Sequence, residues 1–125
     1  MSPTRDTTPP PPEAAARLKT EVKSDGGRAD VILRGELDLA TLPIAERAVE
    51  KVDGGTSTLV LDLRQLSFID SSGLRLILTT AEEWGGDSRS LFIVRGPAQV
   101  ERVFELTGAG ARLNLIEDPS LAKAA

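Results

Sequence analysis

The chain has 125 residues and a formal net charge of −4, and it contains neither histidine nor cysteine. Its length is typical of one domain. The missing histidine excludes Ser-His-Asp triads and His-ligated metals, and the missing cysteine excludes disulfides and thiolate ligands. Negative charge and an aromatic content of 3% argue against a nucleic-acid surface. We therefore expect a single cytoplasmic domain without a membrane-spanning run or a signal peptide.

The first fifteen residues differ in composition from the rest of the chain. Four consecutive prolines, Pro9–Pro12, follow Thr7 and Thr8, and large apolar side chains are almost absent. Such a segment buries too little surface to offset the entropy lost on ordering. We predict a disordered proline-rich tail over residues 1–15 and a folded domain over residues 16–125.

The folded part is predicted to begin with a hairpin. Apolar and polar residues alternate over Leu18–Lys23, which indicates an edge strand, and Ser24–Gly27 supplies a turn able to reach positive φ. Ala29–Leu33 has the composition of the returning strand. These two strands are expected to pair antiparallel at one side of a sheet.

Strands and helices alternate after the hairpin. Thr41 is the predicted N-cap of the first helix, whose apolar residues recur at helical spacing up to Val52. The remaining predicted elements are, in order, a strand over Leu59–Leu63, a helix starting near Ser72, a strand over Leu91–Val94, a helix over Val100–Thr107, a strand over Leu113–Ile116 and a terminal turn or short helix over Pro119–Ala125. This alternation predicts parallel crossovers and an α/β domain with a mixed sheet in the order β-β-α-β-α-β-α-β.

The loop Asp70-Ser71-Ser72-Gly73 brings two hydroxyl groups to the start of the second predicted helix. Helix starts favour Ser and Asp because their side-chain oxygens accept hydrogen bonds from free N–H groups. On this local pattern alone, both serines are explained most simply as capping residues, with Ser71 as the cap. A phosphate on either serine is also compatible with the fold, because the helix dipole favours negative charge at this end.

An enzymatic role has little support from the residues. A serine nucleophile needs a general base within reach, and Ser72 lies in neither a Gly-x-Ser-x-Gly nor a Ser-x-x-Lys motif. The glycine pairs lie at predicted turns and match no phosphate-binding pattern. We therefore expect a protein that is not an enzyme and holds no cofactor or metal. A small hydrolase or nucleotide-binding enzyme is kept as the third and weakest hypothesis for the function of this chain.

Two blocks of the sequence resemble the STAS domains of bacterial anti-sigma factor antagonists. The first block is Gly35-Glu36-Leu37-Asp38, and the second is Leu59–Leu63 followed by Phe68-Ile69-Asp70-Ser71-Ser72-Gly73-Leu74. The similarity extends from about Leu18 to about Ile116. It implies a STAS-like single domain whose helices pack mainly on one face of the sheet.

The resemblance implies a function in partner switching. Ser72 falls on the position that is phosphorylated in the family. The unmodified chain is then expected to bind an anti-sigma factor that is also an ATP-dependent serine kinase, and phosphorylation of Ser72 is expected to release it. A separate serine phosphatase resets the chain, which regulates sigma-factor-dependent transcription without contacting nucleic acid or membrane. The oligomeric state stays open between monomer and weak dimer.

A partner-contact surface is predicted around Ser72. Asp38 and Asp70 follow strands and are expected at the same rim of the sheet, where Asp70 either holds the loop or contacts the partner. Gly73 is expected to leave space for a partner's backbone, and Arg75 is spaced to pair with a phosphate on Ser72. The predicted surface comprises Asp38, Asp70, Ser71, Ser72, Gly73, Arg75 and a partly exposed Leu76.

The second hypothesis is a non-switching STAS scaffold or transporter-accessory module. In that case Ser72 is a capping residue and no more. Asp62 is expected to be structural under either hypothesis, because an unpaired charge inside an apolar strand is costly.

Overall fold

The computed structural model describes residues 12–86 and 88–123, and its elements follow the predicted alternation of strands and helices. In chain order they are α1 (Pro12–Arg17), β1 (Leu18–Asp25), β2 (Arg28–Leu37), α2 (Leu42–Glu50), β3 (Thr58–Ile69), α3 (Ser71–Glu83), β4 (Ser90–Val94), α4 (Ala98–Thr107) and β5 (Leu115–Ile116). Short 3-10 helices cover Ala109–Arg112 and Pro119–Leu121.

The five strands form one mixed sheet in the order β1-β2-β3-β4-β5. β1 and β2 are antiparallel, whereas β2, β3, β4 and β5 are parallel to one another. Gly26 and Gly27 make the hairpin turn with φ angles of 55° and 83°, as a tight turn between twisted strands requires. The predicted α/β fold and its mixed sheet are confirmed.

The helices cover one face of the sheet, and the main core lies beneath them. Leu59, Leu61 and Leu63 of β3 belong to this core together with apolar residues of α2, α3 and α4. A smaller cluster on the other face contains Val60 and is covered by the C-terminal segment around Ala122. Within the described residues, no helix has both the length and the apolar composition needed to cross a membrane.

The strand β3 is longer than predicted. Its sequence suggests a break over Arg64–Ser67, because polar residues interrupt the apolar run. In the structure β3 stays paired with β2 to Ile69, and the pairing passes through two register shifts. Arg64, Gln65 and Ser67 are exposed there. These residues are polar because this part of the strand faces solvent, and not because the chain forms a loop.

The start of the folded part also differs from the prediction. Residues 1–11 of the predicted tail lie outside the described residues. Pro12–Arg17, however, form a helix in which Ala14 is fully buried, so the segment up to residue 15 includes helical structure. Three alanines with high helix propensity explain the helix. The helix was not predicted because the proline-rich composition of residues 1–15 as a whole outweighs these three alanines.

Gly35 lets the junction between α1 and β1 approach β2 at very short range. Its φ is 113°, and a Cβ atom there would lie 2.1 Å from the Arg17 carbonyl oxygen. No L-residue fits this position without moving backbone. The glycine of the Gly35-Glu36-Leu37-Asp38 block is therefore required by the structure, and the pairing of Leu18 with Gly35 brings Arg17 next to the end of β2.

Substituting Gly35 by Ala is expected to lower the free energy of unfolding by about 2 to 6 kcal/mol, because backbone strain and overpacking act together. Gly54→Ala is the matched control, since Gly54 has open space around its Cβ position and no positive φ. Urea denaturation measures both variants. Equal stability of the two would contradict the proposed close approach.

Candidate functional site

The carboxylate of Asp70 joins three backbone N–H groups at the junction between β3 and α3. Oδ1 accepts hydrogen bonds from the N–H groups of Ser72 (2.9 Å) and Gly73 (3.1 Å), and Oδ2 accepts one from Leu39 (3.2 Å). The first two satisfy free N–H groups of α3, and the third attaches the loop between β2 and α2. Asp70 is therefore the N-cap. The prediction that Ser71 is the cap is wrong.

The loop between β2 and α2 is closed by reciprocal bonds of Asp38 and Thr41. The Asp38 N–H donates to Thr41 Oγ1 (2.9 Å), and the Thr41 N–H donates to Asp38 Oδ1 (3.0 Å). Thr41 Oγ1 also donates to the Glu36 carbonyl (2.8 Å), and the side chain is fully buried. Thr41 does precede α2, but its side chain caps no N–H of that helix. The closed loop leaves Leu39 70% exposed.

Asp38 lies at the same rim as Asp70, as predicted, but its carboxylate is engaged within the chain. Arg17 Nη1 donates to Asp38 Oδ2 and lies 3.5 Å from Glu36 Oε1. The hydrogen bond from Arg17 is the main reason that the pKa of Asp38 lies below its ordinary value, and the Thr41 N–H adds to this effect. Asp38 thus shapes the loop that displays Leu39.

The two serines differ in exposure. Ser71 is exposed, whereas Ser72 is half-buried and lines a groove between α2 and α3. Both follow the cap directly, so the hydroxyl groups stand in the first turn of α3 as predicted.

Gly73 faces the core rather than a partner. A Cβ atom on it would lie 2.7 Å from Leu37 Cγ and 2.9 Å from Ile69 Cγ1. The missing side chain lets α3 close against the ends of β2 and β3. The prediction that Gly73 leaves space for a partner's backbone is therefore wrong.

The groove between α2 and α3 has a volume of about 490 Å³. Three of the predicted contact residues line it: Ser72, Arg75 and a half-buried Leu76. The other apolar side chains that line the groove are not predicted from the sequence; they are Leu39, Leu42, Val49, Val52 and Trp84. Two features of the sequence could have indicated this lining. One is Leu39, an isolated apolar residue in a polar loop, and the other is the apolar positions of α2 next to the buried Ala45 and Ala48. Periodicity within one helix does not reveal which helix lies next to it.

Asp62 stands apart from this site, on the other face of the sheet. It is 3% exposed and accepts hydrogen bonds from the Arg64 N–H (3.1 Å) and from Arg64 Nη2 (2.8 Å). Its structural role agrees with the expectation. Across residues 12–86 and 88–123, no group of three or more acidic side chains is arranged to hold a metal ion.

Replacing Asp70 by Ala is expected to lower the free energy of unfolding by about 1 to 2 kcal/mol, since it removes a helix cap and a loop attachment. Asp118→Ala is the control, because Asp118 caps a 3-10 helix of three residues and is expected to matter less. Amide hydrogen exchange should accelerate at Leu39, Ser72 and Gly73 in the Asp70 variant. Unchanged exchange at Leu39 would contradict the attachment of the loop.

The Arg17–Asp38 pair should make the free energy of unfolding depend on pH in the acid range. Because the pKa of Asp38 is lowered in the folded chain, its stabilising contribution is present above the unfolded pKa of about 3.9 and disappears as pH falls through the lower folded pKa. The stability difference between wild type and Arg17→Gln should therefore be largest at neutral pH and shrink in acid. Urea titrations at several pH values measure it.

Arg112→Gln is the control for this experiment. It removes an ion pair with Glu82 in which both side chains are mostly exposed, so it should change stability little. A difference between wild type and Arg17→Gln that stays constant down to the acid range would exclude the inferred coupling.

A family model described as Mlab, STAS domain matches residues 20–117 of the chain. The match spans most of the sequence and covers the sheet, α2, α3 and α4. It includes the Asp70 cap and both serines.

Curated relatives agree with this match. The chain is 31% identical over 92 residues to the anti-sigma-B factor antagonist of Staphylococcus aureus (strain NCTC 8325 / PS 47), covering 73% of this chain and 85% of that protein. It is also 31% identical over 80 residues to the anti-sigma-B factor antagonist of Staphylococcus epidermidis, covering 63% of this chain and 74% of the relative.

Solved structures share the fold. An anti-sigma factor antagonist from Mycobacterium paratuberculosis superposes with a TM-score of 0.75 at 28% identity, covering 82% of this chain and 88% of the other. SpoIIAA in its unphosphorylated form superposes with a TM-score of 0.64 at 21% identity, covering 82% and 91%, and this likeness concerns the fold. The predicted resemblance is thus confirmed, and the chain belongs to the STAS-domain family of anti-sigma factor antagonists.

Proposed function

We propose that this chain is a phosphorylation-controlled anti-sigma factor antagonist. Unmodified, it binds an anti-sigma factor that is also a serine kinase, and phosphorylation of Ser72 releases that partner. A serine phosphatase restores the binding form, so the cycle regulates sigma-factor-dependent transcription. The observation that carries the proposal is the position of Ser72 in the first turn of α3, half-buried where the groove meets the Asp70 junction.

The first turn of α3 supports a phosphate without a change of fold. Negative charge is favoured at a helix N-terminus, and Arg75 stands one turn after Ser72 and lines the same groove. Arg75 is exposed, so its guanidinium is accessible to a phosphate on Ser72. The modified chain is therefore expected to stay folded.

The surroundings of Ser72 explain why a phosphate would release a partner. Leu39 and Leu76 line the groove beside Ser72, and an apolar contact there excludes water from the hydroxyl group. Phosphorylation adds about −1.5 to −2 charges at this contact. Burying such a charge without full pairing costs several kcal/mol, and each 1.4 kcal/mol is about tenfold in affinity.

Phosphotransfer tests the site directly. The purified chain is incubated with candidate anti-sigma kinases and Mg-ATP, and intact mass is compared for wild type, Ser72→Ala and Ser71→Ala. One phosphate is expected on wild type and on the Ser71 variant, and none on the Ser72 variant. Phosphate on Ser71 instead would overturn the assignment of the site.

Binding of the same kinase tests the release. Ser72→Asp should weaken binding at least about tenfold with an unchanged melting temperature, whereas Ser71→Asp should have a much smaller effect. Full binding by Ser72→Asp, together with no phosphate on wild type from any candidate kinase, would favour the non-switching scaffold or transporter-accessory module.

A further inference from the structure

We propose that the groove between α2 and α3 binds a short amphipathic segment of the anti-sigma factor, with apolar residues at the Ser72 end and basic residues at the Trp84 end. The identity of the partner rests on the proposed function, whereas the chemistry of the segment comes from the groove itself. A volume of about 490 Å³ accommodates a few side chains of an inserted segment.

The groove is built from a second side-chain stripe on each helix. The sheet-facing stripe of α3 contains Gly73, Leu74 and Ile77, which are buried. The residues of α3 that line the groove recur at helical spacing and are Ser72, Arg75, Leu76, Thr79, Thr80 and Glu83. Those of α2 have the same spacing and are Leu42, Glu46, Val49 and Glu50, and Val52 and Asp53 follow directly after the helix. Two regular stripes make a continuous channel, which is suited to a helical or extended segment.

The groove has a defined direction. α2 and α3 each follow a strand of the parallel part of the sheet, so the two helices run the same way. Leu42 and Ser72 therefore lie at one end, where the Leu39–Asp70 hydrogen bond joins the loop to α3. Asp53 and Glu83 lie at the other end.

The two ends differ in chemistry. Both ends have apolar lining, with Leu39, Leu42 and Leu76 at the Ser72 end and Val52 and Trp84 at the other, but the carboxylates of Asp53 and Glu83 lie only at the Trp84 end. Three carboxylates, those of Glu46, Asp53 and Glu83, line the groove against the two guanidinium groups of Arg75 and Arg89; Glu50 also lines it but is engaged within the chain. Arg89 lies over the Trp84 ring, with its guanidinium carbon 4.0 Å from the ring centre. This excess of negative charge favours a segment with Lys or Arg over an acidic one.

Distance separates the acidic end from the phosphorylation site. Glu83 follows Ser72 by eleven residues on α3, which is about 16 Å at 1.5 Å per residue. This exceeds the Debye length of about 8 Å at physiological ionic strength. A phosphate on Ser72 therefore acts on the apolar end, while the attraction of basic residues to the far end persists. The groove therefore offers two contacts. The contact at the acidic end is salt-sensitive and unaffected by phosphorylation, whereas the contact at the Ser72 end is lost on phosphorylation.

Fluorescence anisotropy with a designed peptide tests the chemistry of the groove. The probe is a fluorescein-labelled peptide of about twelve residues, locked as a helix, with leucines in its first turns and lysines in its last turn. A matched peptide has glutamates in place of the lysines. The lysine peptide should bind wild type at least about tenfold more tightly than the glutamate peptide, and added salt should weaken its binding.

Three variants locate the binding. Asp53→Lys combined with Glu83→Lys should raise the Kd of the lysine peptide about tenfold, and Leu39→Ser should raise it severalfold. Glu105→Lys makes one such charge reversal, half the change in the double variant, on an exposed position of α4 outside the groove, and should leave the Kd unchanged. Equal binding of the lysine peptide by wild type and by the double variant would overturn the proposal, as would an equal loss in Glu105→Lys.

The anti-sigma factor separates this proposal from the proposed function. Suppose that the double variant binds that factor as wild type does, and that phosphorylation of Ser72 still releases the factor. The switch then stands and the groove proposal fails. If the double variant loses the factor in a salt-dependent way while Ser72→Asp retains it, the groove proposal stands and the switch fails.

Discussion

The carboxylate of Asp70 is the interaction on which the candidate site depends. One oxygen caps α3 and the other holds the N–H of Leu39, so the start of a helix and a neighbouring loop share one anchor. This fixes the position of Ser72 relative to the exposed Leu39. A hydroxyl in the first turn of a helix is ordinary; a hydroxyl held beside an exposed apolar residue at the mouth of a groove is suited to a contact that one phosphate can disrupt.

Two close approaches place this anchor. Gly35 allows the α1–β1 junction to lie close against β2, which brings Arg17 to Asp38, and Gly73 allows α3 to close on Leu37 and Ile69. Each glycine lies in one of the two sequence blocks that resemble the family, Gly35 in the first and Gly73 in the second. The blocks thus encode the geometry around Ser72 as well as the chemistry of the site, because a side chain at either glycine would push apart the elements that meet there.

The sequence was sufficient for the order of the elements, since apolar periodicity and turn residues are local signals. It also brought Asp38, Asp70 and Ser72 to one rim, because strands of a parallel sheet end together. It did not reveal that Asp38 is engaged by Arg17, since this depends on a short helix hidden in a proline-rich segment. The groove was missed for a similar reason. Leu42, Val49 and Trp84 line it only because α2 and α3 lie side by side, and that is a tertiary fact.

The central claim is that one phosphate on Ser72 changes binding while the fold stays the same. Calorimetric titration of an anti-sigma factor with the unmodified chain and with the chain fully phosphorylated on Ser72 tests it most directly, with amide chemical shifts recorded for both forms. The phosphorylated chain is expected to have an affinity at least about a hundredfold lower, a cost of roughly 3 kcal/mol, with shift changes confined to the loop after β2 and the first turns of α3. Equal affinity of the two forms, or shift changes spread through the sheet, would contradict it.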